Sequence, residues 1–102
     1  MAIAYKDQAS KALTAMGNPI RIEIVFLLGR QGPLNVGQIA EHFKISRPAI
    51  SNHLRVLREG QILTAEKTGQ EVYYSLNVDS IEGTLTVILE MVRSSRNHLC
   101  GK

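Results

Sequence analysis

Within SRPAISNHLRVLR (46–58), Pro48, Ser51, Asn52 and Arg55 sit at spacings that place them on one side of a helix, with Arg47 at its start. Ile50, Leu54 and Leu57 fall on the opposite stripe. The outer side carries hydrogen-bonding groups and a cation and no large apolar group. A helix anchored by one face and polar on the other suits an anionic surface, and the major groove of DNA fits best. Arg47 can bond guanine O6 and N7 in bidentate fashion, or a phosphate. Asn52 suits an adenine edge, Ser51 a base or a phosphate, and Pro48 a thymine methyl or a steric fit. Each stands against the plainer reading of solvated helix surface.

His53 lies about 60° off the apolar stripe, and two roles fit it equally, a hydrogen bond holding the helix or a phosphate contact. Lys44, Arg55, Arg58 and Lys67 read as phosphate-contacting groups that fix register. Each phosphate neutralised adds about 0.9 to the salt-dependence slope. Ser46 is the expected N-cap and belongs to the same DNA-facing set.

Charge supports the placement. The net charge is +3, and residues 44–70 hold five of the twelve Lys and Arg against two of the nine acids, so the whole excess lies in that segment. A localised basic patch is the footprint of a nucleic-acid contact, although a solvated charged face gives the same count.

The elements that must position this helix follow from pattern. Residues 5–16 read as a helix with Ala9, Ala12, Leu13 and Met16 on one side, broken by Gly17-Asn18-Pro19, with Pro19 first in the next helix. IRIEIVFLLGRQG is a second, strongly apolar helix ending near Gly29 or Gly32. Ile24, Leu27 and Leu28 are core, and Ile20 and Phe26 widen the apolar surface enough to suggest a partner. Asn35 caps a third helix, VGQIAEHF, with Ile39, Ala40 and Phe43 inward, and Lys44-Ile45 is a connection tight enough for helix–turn–helix geometry. Gly60 closes the fourth helix.

Residues 62–67 and 71–76 are two strands joined by Thr68-Gly69-Gln70, where Gly69 can take a positive φ. Lys67, Thr68 and Gln70 sit at the tip of this wing, within reach of a DNA backbone or minor groove, while Tyr73 and Tyr74 pack the wing on the helices. Asp79 or Ser80 caps a last helix to about Leu99, with Ile81, Leu85, Ile88, Leu89 and Val92 at helical spacing. The expected fold is mainly α with a small β-hairpin, a winged helix-turn-helix of order α-α-α-α-β-β-α over one domain, 1–102.

Several classes are excluded. The sequence has no Gly-rich phosphate loop, no HExxH and no Ser–His–Asp arrangement, so an enzyme is not expected. There is no run of 18 apolar residues and no signal-peptide pattern, and one cysteine cannot make an internal disulfide. A cytoplasmic protein without membrane contact is expected.

In KALTAMGNPIRIEIVFLL, QIAEHFKISRPAISNHLRVLREGQI and GQEVYYSL, in that order and spacing, the chain resembles the ArsR/SmtB type of bacterial winged-helix repressors over roughly residues 8–77. The resemblance implies a homodimer, paired through the first and last helices (about 5–16 and 80–99), that binds a double-stranded operator. Departures bear on mechanism. Where many members carry two cysteines in the third helix, this chain has Asn35 and Gly37. Where others carry Asp-x-His on the last helix, Asp79 is followed by Ser80 and Ile81. Both usual metal sites are therefore missing and no cofactor is expected. In LREGQI the family usually has its glycine one place later, at Gln61, so the end of the fourth helix is expected to shift slightly.

One metal-like fragment remains, His98-x-Cys100. Two such tails meeting across a dimer axis would offer two imidazoles and two thiolates, a set zinc accepts; a frayed tail is the plainer alternative. The expected function is a homodimeric repressor binding a pseudo-palindromic operator through helix 46–58 and wing 63–76. The rival is a protein-interaction module on the same scaffold, using Ile20, Phe26 and the last helix. A nonspecific architectural DNA protein is a third, weaker reading.

Overall fold

The computed structural model describes the backbone from Ala2 to Cys100 and the side chains from Asp7 to Arg96. In chain order it contains α1 (Ala2–Met16), α2 (Pro19–Gln31), β1 (Leu34–Asn35), α3 (Val36–Ala40), α4 (Arg47–Glu59), β2 (Leu63–Thr68), β3 (Glu71–Leu76) and α5 (Val78–Cys100). This is the winged helix-turn-helix order expected, with one strand added.

Local chemistry sets the boundaries. Asn18 is extended and its Oδ1 accepts from the Ile20 and Arg21 amides, so α2 starts at Pro19, where the missing N–H has no consequence. Gly32, at φ 78°, ends it and donates its N–H to Leu28 O. Asn35 and Gln38 form a reciprocal capping box at the start of α3. That helix is shorter than VGQIAEHF suggested. After Ala40 the His42 and Phe43 amides reach back only three residues, to Ile39 and Ala40, which tightens the chain out of the α-helix.

The wing differs from expectation in two respects. Its turn is the pair Gly69-Gln70, closed by Thr68 opposite Glu71, with Gly69 at φ 65°. The sheet has three strands in the order β1-β3-β2, because Leu34 and Asn35 pair antiparallel with Tyr74 and Tyr73. Two residues after a proline show no alternation, so the sequence offered only Asn35, and that as a cap. At α5, Asn77 rather than Asp79 or Ser80 is the cap. Its Oδ1 accepts from the Ser80 amide and its backbone oxygen from Ile81.

The core lies where α1, α2, α3 and α4 meet the sheet. Ile24, Ile39, Ile50, Leu54 and Leu57 are essentially inaccessible, joined by Ala12, Ala15, Leu27, Leu28, Leu34, Ile62 and Leu63. Tyr74 packs against this cluster, as expected of the wing. Outside it, Leu85, Leu89 and Val92 of α5 are 59%, 46% and 51% exposed, and Phe26 is 62% exposed. The radius of gyration is 16.1 Å, against about 13 Å for a compact domain of this length. No single helix among the described residues is long and apolar enough to cross a membrane.

Candidate nucleic-acid interface

The inward stripe of α4 fixes its outer face. Ile50, Leu54 and Leu57 are buried, and Arg47, Pro48, Ser51, Asn52, Arg55 and Arg58 are all exposed. Ser46, extended, caps the helix by accepting the Ala49 amide at Oγ. Its hydroxyl proton stays available to a second acceptor. Arg47 does not point straight outward. Its guanidinium lies across the start of α3, with Nη2 3.7 Å from where a Cβ on Gly37 would sit. Lys44, in the connection ahead of α4, is exposed.

Asn52, Arg55 and Glu59 form a row along the outer face. Arg55 donates through Nη2 to Asn52 Oδ1 at 2.7 Å and through Nη1 to Glu59 Oε2 at 2.9 Å. Counting charges along the sequence left Arg55 and Glu59 unpaired. The i,i+4 relation of the two was visible, and it is the signal that would have found the pair. Ser51, Arg55, Arg58, Glu59 and Tyr74 line a shallow cleft between α4 and the wing. Beyond it the exposed tip carries Lys67, Thr68 and Gln70.

His53 is half-buried and faces α2, where its Nδ1 lies 3.3 Å from Arg21 Nη1. An arginine only donates, so this nitrogen is the acceptor and the proton of the neutral ring sits on Nε2. Burial, and then the Arg21 charge, lower the His53 pKa from its ordinary 6.5. Arg21 also donates through Nε to Ala15 O at 2.6 Å and through Nη2 to Thr14 O at 3.4 Å, closing the carbonyl end of α1. One cation thus ties α1 and α2 to α4. Sequence reasoning passed over Arg21, although a cation just beyond the Gly17-Asn18-Pro19 break is well placed for such a cap.

The far end of α4 is held equally closely. The Ile62 amide bonds Leu57 O and the Gln61 amide bonds Arg58 O, with Gln61 at φ 60°, which is a Schellman ending. Gly60 is buried against α1, and Gln8 Nε2 donates to its carbonyl. The left-handed position is therefore filled by glutamine, because the glycine is needed one residue earlier for the close approach to α1.

Residues 18–64 match the profile described as bacterial regulatory protein, arsR family. The chain is 36% identical over 85 residues to the transcriptional repressor SdpR of Bacillus subtilis, an alignment covering 83% of this chain and 93% of that protein. The chain belongs to the ArsR family. Its members are DNA-binding transcriptional regulators, not enzymes. The fold matches an ArsR-like transcriptional regulator from Rhodococcus with a TM-score of 0.86 at 22% identity, covering 94% of this chain and 90% of that one. A homodimeric winged helix-turn-helix DNA-binding domain from Mycobacterium bovis matches at 0.72 with 26% identity, covering 99% and 90%.

Metal sensing is common among members of the family. Asn35 Oδ1 is taken by the Gln38 amide and Gly37 has no side chain. Among the described residues no three His, Cys, Asp or Glu side chains are grouped to hold a metal ion. The side chains of His98 and Cys100 lie outside the described residues.

Proposed function

We propose that the protein is a homodimeric, sequence-specific repressor acting in the cytoplasm, which binds a pseudo-palindromic operator through α4 and the β2–β3 wing. The observation that carries this reading is the division of α4, with its apolar stripe wholly buried and its cationic, hydrogen-bonding row wholly exposed. Pro48, Ser51 and Asn52 face base edges in the major groove, and Arg47 would reach them by swinging its guanidinium off the start of α3. Ser46, Lys44, Arg58 and the wing-tip Lys67, Thr68 and Gln70 take the backbone, Arg55 stays in its row between Asn52 and Glu59, and His53 stays neutral and holds the helix. No resident metal or cofactor takes part.

The dimer would form through α1 and α5. The exposed Leu13, Leu85, Leu89 and Val92 give those helices an apolar surface that a second copy would cover. The Mycobacterium bovis domain, similar over nearly the whole chain, is a homodimer, and SdpR is a repressor.

Gel shifts test the reading. Arg47→Ala should weaken binding to the specific duplex by about 1–3 kcal/mol with little effect on scrambled DNA, if Arg47 reads a base. Equal loss on every sequence would make it a backbone contact. The exposure of Phe26 favours one second reading, a protein partner on α2. Charge reversal at Arg47 and Arg55 separates the two, since that partner would still bind.

A further inference from the structure

We infer that Arg55 decides what Asn52 reads: held by Arg55, itself held by Glu59, Asn52 turns only N–H donors toward the groove and selects guanine rather than adenine. The inference rests on the functional reading above and concerns the specificity of the same face.

An arginine has five donors and no acceptor, so the Asn52 atom 2.7 Å from Arg55 Nη2 is its carbonyl oxygen. The Asn52 Nδ2 hydrogens are then the groups left for DNA. A free asparagine recognises adenine by donating to N7 while accepting from the N6 amino group. Here the accepting half is engaged. A lone pair remains on Oδ1, but an adenine amino group reaching it would bring its positive edge against the Arg55 guanidinium. Guanine presents two acceptors, N7 and O6, at the same place in the groove. Asn52 Nδ2 and the Arg55 guanidinium together form a donor-only edge that matches them. Glu59 contributes from behind, because its 2.9 Å contact draws Arg55 back along the helix instead of out to a phosphate.

The relay is modest in strength, since the Arg55 and Glu59 side chains are 58% and 64% exposed. Exposed pairs of this kind shift an equilibrium by roughly fivefold or less. That suffices to tilt a base preference and is too small to hold the fold.

The experiment selects bound duplexes from a random pool with four full-length proteins: wild type, Asn52→Ala, Arg55→Ala and Glu59→Gln. The position that loses its preference in Asn52→Ala is the base Asn52 reads. Guanine is expected there with wild type. Adenine should gain roughly fivefold over guanine with Arg55→Ala, and less but in the same direction with Glu59→Gln. If Arg55→Ala selects nothing, Glu59→Gln decides alone.

Adenine in the wild-type pool, an unchanged preference in the binding variants, or no position altered by Asn52→Ala would overturn the inference and leave operator binding standing. A wild-type pool with no enriched sequence would overturn both.

Discussion

At Gly60 a Cβ would lie 2.9 Å from Ala15 Cβ and 2.9 Å from Lys11 O, so alanine there must push α1 off the end of α4. Gly60→Ala should cost about 1–3 kcal/mol in urea unfolding, as over-packing does. Gln61→Gly should act in the opposite sense, relieving a left-handed side chain for a gain of about 0.5–1 kcal/mol. His53 gives a pH dependence of known sign. Its folded pKa lies below the ordinary 6.5, so the unfolded chain binds the proton more readily. The stability that neutral His53 contributes is complete above the unfolded value, and it is lost as the pH falls through the lowered folded one. The urea midpoint of the wild type should therefore fall between pH 7 and pH 5 by more than that of His53→Gln. An equal fall in both proteins would remove His53 as the cause.

Among the elements, α4 was legible because its stripe repeats at the helical period and Ser46 and Gly60 mark its ends, and the hairpin because Gly69 divides two β-rich runs. The core positions Ile24, Leu27, Leu28 and Ile39 were read for the same reason of period. Strand β1 was not. Two residues carry no period, and their identity as a strand comes wholly from the partners Tyr73 and Tyr74, distant in sequence. The Arg21–His53 contact was hidden likewise, since it joins residues 32 apart on different helices, whereas the closure of α1 by Arg21 was local enough to see. The Asn52–Arg55–Glu59 row was local enough to see, but side-chain direction, not spacing, decides which group bonds which. Leu34, which the sequence pattern assigned to no element, is buried against the sheet and core. Leu34→Ala should cost about 2–4 kcal/mol in urea unfolding, where a loop residue would cost almost nothing.

For the whole molecule, one asymmetry organises the account. The charge excess of residues 44–70 lies on α4 and, through Lys44, on the connection that precedes it, while the uncovered apolar residues lie on α1, α2 and α5. A polar face for DNA and an apolar face for a second copy are thus carried by different elements, and dimerisation would set two α4 helices at a fixed separation. The measurement that tests this most directly is selection of bound duplexes by the wild-type protein, with the protein-to-DNA stoichiometry of the selected complex. The account predicts two inverted half-sites with centres about one helical turn (~34 Å) apart, occupied by two chains. A single asymmetric site bound by one chain, or a pool with no preferred sequence, would contradict it.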